Sequence, residues 1–72
     1  MKETVQLLDV VALLEDHPEL NLVAGQVGTV VENLASDVFE VEFSDDHGRA
    51  YATASLKNSQ LIALHYNPVA AW

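Results

Sequence analysis

Phe39, Val41 and Phe43 alternate with Val38, Glu40, Glu42 and Ser44, and a period of two sustained over this length is the signature of a half-buried strand. The two phenylalanines and Val41 must then face a core. Glu40 and Glu42 fall on the other side, where an antiparallel sheet can meet water. Asp45-Asp46-His47-Gly48 follows directly and has the composition of a tight hairpin loop, since Asp can bond its own backbone and Gly48 supplies a left-handed residue. The stretch from Arg49 to Ser55 is therefore the hairpin partner. Its alanines at 50, 52 and 54 share one face and Tyr51, Thr53 and Ser55 the other. Tyr51 offers the most apolar area, which predicts that it is partly buried.

A second constraint lies upstream. Gly25 and Gly28 lead into the most strand-prone run of the chain, and the second strand reads as Gln26 to Leu34. Gly25 suits a turn that needs positive φ, and Gly28 a bulge or a close backbone approach. Val27, Val30 and Val31 cannot all face one way in strict alternation unless a bulge near Gly28 resets the phase. Leu7 to Glu15 is almost continuously apolar and reads as a strand stopped by Pro18, with a short helix from Thr4 as the competing reading. The loop from His17 to Asn21 carries Pro18 and a turn-prone Asn21, with Leu20 and Leu22 expected to tuck back against the sheet. Leu56 to Gln60 predicts one 3₁₀ turn, and Leu61 to Tyr66 the closing strand, ended by Asn67-Pro68.

Five short strands at roughly ten-residue spacing, with a single turn before the last, predict an all-β fold, a small antiparallel barrel. Residues 1–6 read as an N-terminal extension, 7–66 as the barrel domain and 67–72 as a tail that ends in Trp72. With 72 residues and no cysteine, neither a disulfide framework nor a thiolate zinc site can staple the core. A chain of this size buries only about 60% of its unfolded surface. Self-association through exposed strand edges is one way to add burial. The start of the chain has no secretory signal, and no apolar run approaches the roughly 18 residues of a membrane span, so a soluble, cytoplasmic protein is the expectation.

Leu8-Asp9-Val10-Val11-Ala12-Leu13-Leu14-Glu15-Asp16, Gly25-Gln26-Val27-Gly28-Thr29-Val30-Val31-Glu32, Phe39-Glu40-Val41-Glu42-Phe43 and Leu61 to Tyr66 together resemble the small bacterial family catalogued as domain of unknown function 4926. The resemblance covers about residues 7–66. It implies an SH3-like barrel and brings no catalytic residues. The glycine-valine piece is also similar to the KOW motif of ribosomal and transcription-factor barrels, which bind RNA or protein, although the basic loops that RNA binding wants are absent here.

Eleven acids stand against three basic residues, a formal charge of −8 that would repel phosphate backbones. Nucleic acid is therefore not expected as a partner, nor is a membrane; a KOW-like nucleic-acid-binding barrel is the alternative reading, supported only by that similarity. Asp16, His17 and Glu19 lie close in sequence and could ligate a metal or supply a base, and Asp45, Asp46 and His47 invite the same idea. The second group fails the calcium-loop spacing, and a solvated loop and a turn explain the two groups without chemistry. No triad order, phosphate loop or His-Glu-x-x-His is present, so neither a cofactor nor enzymatic activity is expected. The leading expectation is an acidic protein-interaction module or accessory subunit that binds a basic protein through charge and an exposed edge, in one version as an inhibitor or antitoxin. The residues expected to carry it are Asp16, Glu40, Glu42, Asp45 and Asp46. Barrels of this class often take peptides between their long first loop and the turn before the last strand, here residues 16–22, 35–37 and 56–60, but the aromatic lining of a proline-rich-peptide groove is missing.

Overall fold

The computed structural model describes residues 3–65. Its strands are β1 (Val10–Leu13), β2 (Val27–Ala35), β3 (Val38–Ser44), β4 (Ala50–Lys57) and β5 (Leu61–Ala63), with 3₁₀ turns at Pro18–Leu20 and Asn58–Gln60. All pairings are antiparallel, in one sheet of order β4-β3-β2-β1-β5. The chain meanders from β1 to β4 and returns through the second 3₁₀ turn to place β5 on the far side of β1. Buried residues from all five strands form one cluster. With no second layer to cover that face, the sheet curls over its own apolar side. The ladder does not close between β4 and β5, which leaves both as edges. This is the all-β, five-stranded SH3-like arrangement expected from the sequence.

Phe39, Val41 and Phe43 are buried as the alternation requires, together with Val11, Leu13, Val30, Leu56 and Leu61. Gly28 stands opposite Phe43, and a Cβ there would lie 2.7 Å from Val41 Cγ1 and 2.9 Å from both the Glu42 carbonyl oxygen and Phe43 Cδ1. Gly28 therefore serves close approach. Gly25 takes φ +93° in the turn before β2, a conformation that costs other residues dearly. Asp45 Oδ1 accepts from the His47 and Arg49 amides at 2.8 and 3.0 Å, and Gly48 closes the β3–β4 hairpin at φ +78°. Asn58 Oδ1 accepts from the Val5 amide at 2.7 Å, and Val5 is buried in the core. The core thus begins ahead of residue 7.

Several expectations are corrected. The valines of β2 do not share a face: Val30 is buried while Val27 and Val31 are exposed, so alternation runs through Gly28 unbroken. The phase is reset later, by one extra residue at Val31 and another at Leu34. Tyr51 is 52% exposed, and the inward face of β4 belongs to Ala52, Ala54 and Leu56. Ala52 and Ala54 stand opposite Phe43 and Val41, which already fill the interior, so only small residues fit across from them. Leu22 is buried as expected, but Leu20 remains exposed. β1 and β5 are shorter than read. Tyr66, the Asn67-Pro68 stop and the Trp72 tail lie outside the described residues.

Residues 7–9 lie in and just after a turn rather than in β1. The Asp9 amide donates to the Gln6 carbonyl at 3.0 Å, and the Gln6 amide to Asp9 Oδ2 at 2.8 Å. Leu8 is the third residue of this turn, with φ +72°, the place where glycine is favoured. It is also 71% exposed, so burial contributes little to offset the strain. Leu8→Gly is expected to raise the unfolding free energy by about 0.5–1 kcal/mol, the left-handed penalty less the entropy of glycine. Urea denaturation measures this, and a loss of stability would contradict it.

Candidate functional site

The outer face of the sheet, opposite the core, is divided into an apolar and an acidic half. Ala12 pairs with Val27 on one side and Ile62 on the other, and directly opposed residues share a face. Ala12 is only 9% exposed yet is no part of the core cluster, whereas its neighbours Val27 and Ile62 are 44% and 47% exposed. The three form an apolar row on the outside. One row along, Val10 pairs with Thr29, and the Leu64 amide donates to the Val10 carbonyl at 2.8 Å, which sets Leu64 on the other side of Val10. Thr29 pairs in turn with Glu42, and Glu42 with Thr53. From β5 to β4 this row therefore reads Leu64, Val10, Thr29, Glu42, Thr53. Val31 adds a further exposed apolar side chain on β2.

The acidic half comes from β3 and the end of β2. Glu40 and Glu42 point outward, as the alternation with buried Phe39, Val41 and Phe43 requires. Glu40 stands opposite Glu32. Strict alternation after buried Val30 would turn Glu32 toward the core; the extra residue at Val31 puts it outside, against a like charge. Like charges directly opposed in a sheet are destabilising. Among the described residues, no Lys or Arg forms an ion pair with these three carboxylates. A cation brought by a second molecule would relieve the repulsion.

The other acids singled out from sequence lie elsewhere. Asp16 Oδ1 accepts from the Ala24 amide at 2.9 Å and holds the loop before β2. Asp45 is engaged by the backbone of its own turn, and Asp46 is exposed beside it. Asp16 and the Asp45–Asp46 pair thus sit in loops, whereas Glu40 and Glu42 sit on β3. His17 Nδ1 lies 3.4 Å from Glu19 Oε2, and Gln60 Nε2 donates to Glu15 Oε1 at 3.0 Å and lies 3.5 Å from His17 Nε2. No grouping of three or more His, Asp or Glu that could hold a metal ion occurs among the described residues, and no cleft or cavity is found among them. The turn at 36–37 and the 3₁₀ turn at 58–60 are tied together by the Asn58 amide donating to the Asp37 carbonyl at 3.1 Å.

Sequence reasoning missed Glu32 and the apolar half. The outward position of Glu32 depends on a bulge that local composition does not mark. Val10, Ala12 and Ile62 sit in apolar runs whose two faces carry the same residue types, so only the register separates inside from outside. No helix among the described residues is long and apolar enough to cross a membrane. No curated protein and no solved structure matches the chain. One family profile matches residues 7–63, most of the chain and all five strands, and the protein accordingly belongs to the family described as Domain of unknown function (DUF4926).

Proposed function

We propose that the chain is a non-enzymatic interaction module that binds another protein through the outer face of its sheet, with the partner supplying both apolar and basic side chains. The observation that carries this reading is that the exposed Val27, Ile62 and Leu64 share one outer face with the Glu32, Glu40 and Glu42 carboxylates. Uncovered apolar surface flanked by polar residues marks contact sites. A net charge of −8 would speed encounter with a basic partner. Masking such a partner, as an inhibitor or antitoxin does, is the specific form of this activity. Compared with the sequence expectation, the binding surface moves from a strand edge and scattered acids to one face.

Immobilised wild-type protein is expected to retain a stoichiometric partner from native lysate, with retention that weakens as salt rises. Ile62→Lys, which removes apolar surface and opposes a basic partner, is expected to abolish retention. Ile62 is half exposed, so the substitution should change stability by no more than about 0.5 kcal/mol, and circular dichroism checks this. Recovery of no partner, or equal recovery by the variant, overturns the reading.

A further inference from the structure

We infer that the occupant of the outer face is an amphipathic α-helix of the partner protein, with Lys or Arg along one flank of its apolar stripe; the inference rests on the interaction reading above. In the row of Ile62, Ala12 and Val27 the apolar half spans β5, β1 and β2, two interstrand spacings or about 9.6 Å. That is the width of one helix, about 10 Å with its side chains. The next strand over is β3, so Glu42, in the row of Val10, lies under the flank of a helix seated along β1, and Glu40 lies one row further along the path of that helix. These two acids are two residues apart on one strand, about 6.8 Å, and basic residues at i and i+4 of a helix rise by about 6 Å. Apolar stripe and basic flank thus match the two halves of the face in width and spacing.

An extended peptide would instead pair with a free edge, β4 or β5, and leave this face uncovered. A second copy of the chain is poorly suited to cover it. No α-helix occurs among the described residues, the chain has only three basic residues, and each copy brings the same −8.

The test titrates isotope-labelled protein with two synthetic peptides of about 14 residues, long enough for several helical turns. They have identical Leu and Lys content, one with leucines at helical spacing and the other with leucines alternating. The helical isomer is expected to bind more tightly and to shift the amide signals of Val10, Ala12, Val27 and Ile62. Glu40→Gln and Glu42→Gln should each weaken it about two- to fivefold, the value of an exposed ion pair. Ile62→Lys should weaken it at least about tenfold, because it would bury a charge without a counterion. Equal or tighter binding of the alternating isomer, or shifts centred on β4 or confined to β5, overturns the helix inference, as does the absence of any shift. The interaction reading is judged separately by retention of a native partner. Sedimentation showing a dimer that Ile62→Lys dissociates would assign the face to a second copy and overturn both.

Discussion

Phe43→Ala is expected to lower the unfolding free energy by about 3–5 kcal/mol, the range for removing a buried aromatic ring. A chain of this length should have only about 4–11 kcal/mol in total, so the urea midpoint should fall by roughly a third or more. The cost should sit at the high end because of what surrounds the ring. Phe43 is fully buried, and its cross-strand neighbours on the same face are Gly28 and Ala52. Both are too small to lean into the space the ring leaves. The cavity should therefore persist, and persistent cavities are the costly ones. A loss below about 1.5 kcal/mol in equilibrium urea unfolding would show that the strands close over the gap, contrary to this account.

Gly28→Ala tests the same contact from the opposite direction. A methyl group at this position would lie 2.7 Å from Val41 Cγ1, 2.9 Å from Phe43 Cδ1 and 2.9 Å from the Glu42 carbonyl oxygen. The two side chains can shift; the carbonyl belongs to the paired strand and cannot move without disturbing the ladder. A destabilisation of about 2–3 kcal/mol is expected, as for other overpacked interiors. Adding Phe43→Leu should not restore stability, because the carbonyl contact remains. Rescue by the double variant in thermal unfolding would mean that the ring alone sets the limit.

The parts of the fold legible in the sequence were those governed by local rules. The alternation from Val38 to Ser44 fixes β3 and its buried face, Asp45 and Gly48 fix the hairpin, and Gly25 marks a turn with positive φ. What escaped depends on pairing. Tyr51 offers more apolar area than the alanines of β4, yet the hairpin register sets Ala52 and Ala54 opposite Phe43 and Val41, which fill the interior; the inward face of β3 is legible locally, the register that picks the inward face of β4 is not. Leu7 and Leu8 look like strand and belong to a turn held by Asp9. Within the candidate site, the outward direction of Glu40 and Glu42 followed from β3 alone. The company they keep, Glu32 on one side and the apolar rows beyond Thr29 on the other, follows from register.

The extra residue at Val31 separates two problems that a regular strand must solve together. Val31 and Glu32 both share the space opposite Glu40, so the exterior of β2 holds one more position than its interior requires. Loss of that single codon would leave Val30 opposite Val41 and Glu32 opposite Glu40, with the same side chains inside. Evolution can thus redraw the outer surface at this point while the hidden half of the molecule stays as it was.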